Sequence, residues 1–270
     1  MSDAATGGVR WSIVMPYYNE KDFLGATLDS LGQQEFRDFK LILVDNNSTD
    51  GSGDIAREVM AKYPDIETIH LLQTVQGAVP AIEMGIDHVE TEFLATCDAD
   101  TYYPPHYMAV AARLLANAKP GIVAAMAMDL YGNPHSLANR RRMALRVLES
   151  KVFRKQAHTG GYGFCFRTDV FRKAGGYSLK LWPYVLNDHE VMQRVFKLGD
   201  AIYARDFWCQ PSDRRSGKQW TLFERLLYFA TPFHMKDWFF YDFLGPRFEE
   251  RRQSILKLRE REWEKDDKKG

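Results

Sequence analysis

Between residues 11 and 97 strand-like and helical runs alternate, and that rhythm leaves little room for any fold but an open parallel sheet. Residues 11–15 are strand-like and break at Pro16. Phe23, Leu24, Thr27, Leu28 and Leu31 then recur at helical spacing along one face. Residues 40–44 form a continuous apolar run, the pattern of a central strand covered on both sides. That run ends in Asp45-Asn-Asn-Ser-Thr-Asp-Gly51, a loop rich in capping residues that leads into a helix over residues 54–63. Residues 67–72 read as the next strand, 77–88 as a helix and 93–97 as a further strand. This order implies right-handed crossovers and a sheet whose ligands lie at the carboxyl ends of its strands.

Three of those ends carry polar side chains: Pro16-Tyr17-Tyr18, Asp45-Asn46-Asn47 and Asp98-Ala99-Asp100. The last is the most specific, because a buried strand stops abruptly in two carboxylates. Side chains at i and i+2 share a face in extended chain. Hard divalent cations such as Mg2+ or Mn2+ take oxygen ligands of this kind and share them with substrate phosphates.

The second half is less regular. Helices are expected over residues 106–118, 169–173 and 188–198, a strand over 122–129, and a long basic helix over 134–155. Gly160-Gly-Tyr-Gly163 is a glycine-rich loop running into a strand, and Gly175-Gly176 closes the short helix before it. From residue 218 onward the chain reads as helical and aromatic-rich, with a mixed-charge segment over 249–269.

Lys+Arg and Asp+Glu balance at 36 each in 270 residues, so no global field calls for a nucleic-acid partner. Cys97, Cys165 and Cys209 are scattered without a C-x-x-C pattern and read as reduced thiols. The first residues lack a basic region followed by an apolar core, and no apolar run approaches the ~18 residues of a membrane span. A cytoplasmic protein is expected, with peripheral contact at the inner face of the membrane left open.

Ser12-Ile-Val-Met-Pro-Tyr-Tyr-Asn-Glu20, Leu43-Val-Asp-Asn-Asn-Ser-Thr-Asp-Gly51, Cys97-Asp-Ala-Asp100, Gly160-Gly-Tyr-Gly163 with Gly175-Gly-Tyr177, and Asn187-Asp-His-Glu190 stand in that order. The ordered set closely resembles the family 2 glycosyltransferases of GT-A fold, over roughly residues 10 to 200. The resemblance implies a mostly parallel central α/β sheet flanked by helices. Residues 9–212 would form that domain, with a nucleotide-binding half (9–104), an acceptor-binding half (105–212) and a helical extension over 213–270. It also implies metal-dependent (Mn2+ or Mg2+), inverting transfer of a sugar from a UDP- or GDP-sugar to the hydroxyl of a glycan, lipid-linked saccharide or small molecule.

Carried over position by position, Pro16, Tyr17 and Glu20 would line the nucleotide pocket, with Asn47 also on the nucleotide. Asp45 would accept a hydrogen bond from the base, which suits a group that only accepts. Asp98 would face ribose or metal, and Asp100 would coordinate the metal on the diphosphate. Gly160, Gly161 and Tyr162 would form the loop facing acceptor and donor sugar. Asp188 falls where the family keeps its general base, although Asn187 replaces the usual Glu before it. Many relatives carry an Arg-Asn pair where this chain has Ile82-Glu83.

Other readings come from the residues alone. Arg214 and Arg215, adjacent in a Ser/Gly loop, suit a forked diphosphate clamp or a plain solvated loop. His189 reads as a metal ligand or a packing residue. Residues 140–155 hold seven basic side chains and one acidic, fitting a solvated helix face, an anionic membrane or a lipid-diphosphate acceptor. The aromatic tail suits a membrane contact, a helical cap or a homodimer contact. A nucleotidyltransferase is the enzymatic rival, but it would need a basic glycine-rich loop after the first strand. A silent nucleotide-sugar-binding scaffold is the other, and it would not need Asp188.

Overall fold

The computed structural model describes residues 9–212 and 220–251. The first half follows the expected alternation: β1 (Trp11–Tyr17), α1 (Leu24–Gly32), β2 (Phe39–Asp45), α2 (Ser52–Met60), β3 (Thr68–Leu72), α3 (Ala78–Asp87) and β4 (Phe93–Cys97). There follow β5 (Thr101–Tyr102), α4 (Tyr107–Ala116), β6 (Ile122–Met126), β7 (Met128–Asp129), α5 (Leu137–Val152) and β8 (Gly163–Arg167). The chain continues through α6 (Thr168–Lys173), α7 (Asn187–Phe196), β9 (Asp200–Ile202), β10 (Trp208–Pro211), α8 (Leu222–Ala230) and α9 (Gly245–Glu250).

The large sheet has strand order β3-β2-β1-β4-β8-β6-β9. β1, β2, β3 and β4 are mutually parallel where they pair, whereas β8 runs antiparallel to both β4 and β6. The chain steps outward from β1 to β3 and then returns past β1 to lay down β4. Such a reversal opens a crevice at the carboxyl ends of the two strands. Side chains alternate between the two faces, so each continuous apolar run feeds two cores. Ile13, Met15, Leu41 and Leu43 pack with Leu24, Leu28 and Leu31 of α1. Val14, Ile42 and Val44 pack on the other side with Val79, Ile82 and Ile86 of α3.

Pro16 does not end β1, which continues to Tyr17 opposite Asp45. Pro16 lies beyond the last β1–β4 pair, Val14 with Thr96, so its missing N–H takes nothing from that ladder. The expected strand over 122–129 is two strands in two sheets. The amide of Ala127 bonds Gly163 O in the large sheet, and the next, Met128, bonds Phe207 O in the small one. The small sheet, ordered β5-β10-β7, sits immediately beyond Asp100. A glycine C-cap closes α6 as expected, with Gly175 and Gly176 both at positive φ.

The segments over 220–251 form a separate aromatic cluster. Tyr228, Phe239, Phe240, Leu244 and Phe248 pack against Trp182, Val185 and Leu186, from the loop that leads into α7. Cys97, Cys165 and Cys209 are buried and unpaired in disulfides.

Gly85 measures how tightly α3 lies on the sheet. A Cβ there would stand 2.4 Å from Val14 Cγ1 and 3.1 Å from Val44 Cγ2. Gly85→Val should therefore lower stability by about 1–3 kcal/mol through overpacking, despite removing a helical glycine. Chemical denaturation checks this, and an unchanged midpoint and slope would show that α3 does not press on β1.

Candidate active site

A cleft opens at the carboxyl ends of β1, β2 and β4. Pro16, Tyr17, Tyr18 and Glu20 line one wall, Asn46, Ala78 and Ala81 a second, and Asp98, Ala99 and Asp100 the third. Of the residues expected on the nucleotide or metal, Pro16, Tyr17, Glu20, Asp98 and Asp100 meet here. α3 begins at this cleft, with Ala78 and Ala81 on the wall; Pro80 has no N–H and the Ala81 amide bonds Gly77 O, so the first turn offers an anion at most the amides of Ala78 and Val79. Ile82 is buried in the core, and Glu83 faces a separate hollow beside Arg172 and Tyr177.

Much of the polar loop after β2 holds the loop after β1 in place. Ser48 Oγ accepts from Asn19 N at 3.1 Å, Ser52 Oγ from Glu20 N at 2.9 Å, and Asp50 Oδ2 from Lys21 N at 3.0 Å. Asp50 also takes the Ser52 amide at 3.0 Å; burial works against its ionised form, but these donors outweigh it and lower its pKa. Asp45, at the tip of β2, accepts the Ser48 amide at 2.8 Å. Burial, then the charge of Asp45, raises the Tyr17 hydroxyl well above its usual range, so it stays a proton donor. Asn47 is exposed with φ 64° and stands outside the cleft wall.

Asn46 was not singled out by the sequence, yet it shapes the cleft. Its Nδ2 donates to Gln73 O at 2.9 Å and Val75 O at 2.7 Å, and its Oδ1 accepts Gly77 N at 2.8 Å. These bonds set where α3 starts. Nothing in Asp45-Asn-Asn47 distinguishes this buried asparagine from its exposed neighbour.

Asp98 is exposed, Ala99 buried and Asp100 half-buried, so the carboxylates lie either side of a small anchored residue. Ser212 Oγ donates to Asp100 Oδ2 at 2.7 Å, which fixes that carboxylate from the small sheet. Among the described residues no group of three or more His, Cys, Asp or Glu is arranged to hold a metal ion. Two hard oxygen donors on an open cleft do fit a cation that keeps most of its coordination for phosphates and water. They do not make the closed cage of a structural zinc site.

The second part of the site comes from the other half of the chain. β8 is antiparallel to β4 with Gly163 opposite Cys97, so residues 160–162 arrive at the same strand end as Asp98. Thr96 Oγ1 donates to Gly161 O at 3.1 Å, and Tyr103 Oη donates to Tyr162 O at 2.7 Å. The glycines allow close approach: a Cβ on Gly160 would strike the Tyr162 ring at 2.4 Å. A Cβ on Gly161 would lie 3.7 Å from Asp188 Cβ and 3.6 Å from the Tyr177 hydroxyl.

Asp188 lies in the first turn of α7 and is 21% exposed. Its Oδ1 accepts the His189 amide at 2.9 Å and faces His189 Nδ1 at 3.0 Å. Burial by itself would raise this carboxyl, but the charge and hydrogen bonds of His189 outweigh it and hold the group below the usual range. His158 packs edge-on against His189, ring centroids 4.0 Å apart, and burial drives its imidazole far down, so it is neutral. Tyr177 is buried, and burial, then the charges of Asp188 and Asp98, raises its hydroxyl. The sequence had offered Tyr177 only as part of a motif. Glu190, two residues on, is buried, ion-paired with Arg194 at 2.7 Å, and accepts from Tyr241. Arg214 and Arg215 lie outside the described residues.

Residues 12–174 match the sequence profile described as glycosyl transferase family 2. Over 101 residues the chain is 35% identical to the undecaprenyl-phosphate 4-deoxy-4-formamido-L-arabinose transferase of Edwardsiella ictaluri, covering 35% of this chain and 30% of that one. The Shewanella sediminis protein of the same name is 33% identical over 152 residues, covering 53% and 41%. The chain thus spans well under half the length of these relatives. Among solved structures, the mannosyltransferase PcManGT from Pyrobaculum calidifontis in complex with GDP-Man and Mn2+ superposes with a TM-score of 0.65 at 23% identity. That match covers 78% of this chain and 59% of PcManGT. S. aureus TarS 1–349 in complex with UDP gives 0.60 at 15% identity, covering 89% and 72%. At these identities the likeness is one of fold, a mostly parallel sheet flanked by helices. The profile runs from β1 through α6 and takes in the strand-end cleft and the glycine loop. The chain belongs to glycosyl transferase family 2.

Proposed function

We propose that this chain transfers a sugar from a nucleoside-diphosphate sugar to an acceptor hydroxyl, with inversion, using Asp188 as general base. One observation carries the reading: Thr96, two residues before Asp98, bonds Gly161 O, and a Cβ on Gly161 would lie 3.7 Å from Asp188 Cβ, so the Asp188 carboxylate stands beside the strand end that carries Asp98 and Asp100. A donor lying with its nucleoside against Pro16, Tyr17 and Glu20 would put its diphosphate at Asp98 and Asp100. Asp45 would then take a base N–H, and Asn47 would lie at the nucleoside's outer edge. The fold neighbours solved in complex with GDP-Man and Mn2+ or with UDP support a nucleoside-diphosphate donor and a divalent cation.

In the reaction the acceptor oxygen bonds to the anomeric carbon as the bond from that carbon to the diphosphate oxygen breaks. Asp188 receives the acceptor proton, and the diphosphate leaves with the bonding pair. Asp98 and Asp100 would hold Mn2+ or Mg2+, which when bound supplies positive charge to the departing diphosphate. Gly160, Gly161 and Tyr162 would border the donor sugar and the incoming hydroxyl. The names of the undecaprenyl-phosphate relatives favour a lipid-linked acceptor. The buried thiols accord with a cytoplasmic setting.

Asp100→Ala should abolish Mn2+-dependent binding of nucleoside diphosphate while leaving thermal unfolding nearly unchanged, as judged by calorimetric titration. Binding as tight as wild type would remove Asp100 from the metal.

Asp188→Asn should cut transfer by ~10²–10⁴ at unchanged donor affinity, the usual worth of a positioned base. Glu190→Gln should instead lower thermal stability, because it breaks a buried pair, and keep most of kcat in the folded enzyme. Because Asp188 is held below the usual carboxyl range, it stays ionised from neutral pH down past pH 4. The acid limb of kcat/KM should therefore not report an ordinary carboxyl. A limb centred near 4 that vanishes in Asp188→Asn would contradict the assignment.

A further inference from the structure

α8 is built inside out. Leu222, Phe223, Leu226 and Phe229 form one helical stripe, and it faces outward, with Leu222 73% and Leu226 61% exposed. The inward face carries Glu224, fully buried and paired with Arg251 at 2.6 Å, and Tyr228. α5 shows the same inversion. Leu145, Leu148 and Val152 point outward, Val152 at 65% exposure, while Arg142 and Arg146 turn in toward the buried Asp129. Basic residues counted from the sequence as a solvated face are therefore partly interior.

The two stripes belong to one surface. The Phe153 and Phe229 rings meet edge-on at 5.9 Å, Gln156 Nε2 donates to Thr231 O at 2.9 Å, and Tyr228 Oη donates to Gln156 O at 3.1 Å. Arg140, Arg141, Lys151 and Arg225 are exposed around it and make no ion pair with a described residue. The acids on these helices are committed elsewhere, Glu149 to Arg146 and Glu224 to Arg251. No described helix is long and apolar enough to cross a membrane.

We infer that the α5–α8 face docks on an anionic lipid surface, lying in the interface rather than spanning it. Exposed apolar stripes fringed by cations that no described acid pairs have the chemistry such a surface recognises. A two-fold dimer through the same face would set each cationic fringe against its own copy, which disfavours a second chain as occupant. The surface also lies one helix away from the base: Tyr228, on the inner side of α8, packs against the His189 ring at 6.0 Å. An acceptor anchored in the leaflet would thus reach Asp188 without leaving its membrane. That last step rests on the proposed sugar transfer; the docking does not.

The test is co-sedimentation of the full chain with phosphatidylcholine vesicles, with and without phosphatidylglycerol. The wild type should bind the anionic vesicles at least tenfold better than the neutral ones, and about 1 M salt should release it, since screening there reaches only ~3 Å. The double variants Leu148→Glu/Leu226→Glu and Arg140→Glu/Arg141→Glu should each lose at least tenfold in binding. Both should keep wild-type thermal stability and Mn2+-dependent nucleoside diphosphate binding, a readout that follows the active-site reading separately. Absence of wild-type binding, equal binding to neutral vesicles, or full binding by both variants would overturn the inference. So would a dimer in sedimentation velocity that Leu148→Glu/Leu226→Glu dissociates.

Discussion

β8 runs antiparallel to β4, and the two-sided site depends on that pairing. Strands β1 to β4 could by themselves offer a crevice with acidic tips. A parallel β8 would start at the far end of the sheet and carry residues 160–162 away from Asp98. Because it is reversed, its first residue lies opposite Cys97, and the glycine loop enters where β4 ends. Gly161 then lies so near Asp188 that a Cβ on it would stand 3.7 Å from Asp188 Cβ, and a helix some ninety residues downstream of Asp98 comes up to the site. The bonds from Thr96 and Tyr103 to the glycine loop hold it at that strand end.

Within the site, polar side chains divide between holding the frame and facing the cleft. Ser48, Asp50 and Ser52 staple the loops after β1 and β2 together, and Asn46 fixes the start of α3. Buried polar groups of this kind must be satisfied, and once satisfied they rigidify what they touch. Tyr17, Glu20, Asp98 and Asp100 then present their side chains from backbone that has little freedom to move. This is the preorganisation a charged leaving group needs, since donors that must reorient during reaction lose much of their effect.

The first half of the fold was legible because parallel strands buried on both faces write continuous apolar runs, and amphipathic helices write a different period. The strand-end carboxylates were legible for the same reason: the run stops where burial stops. Residues 122–129 misled because residues 123–129 are buried through both sheets, so no change of pattern marks the switch at Ala127. α5 misled in another way. Its basic count is visible in the sequence, but the inward turn of Arg142 and Arg146 depends on Asp129, which tertiary structure alone brings near. Tyr177 and Glu190 show the same limit, since one feels the charges of two aspartates distant in sequence and the other gains its partner Tyr241 from a remote segment.

In the proposed reaction one carboxylate base and one strand-end cleft perform a single displacement. NMR of the anomeric proton in the first product formed from an α-configured nucleotide sugar tests it most directly. A single displacement gives a β-linked product from the outset. An α-linked product would contradict it, because retention requires a second covalent step or a front-side attack that a lone base opposite the leaving group does not provide.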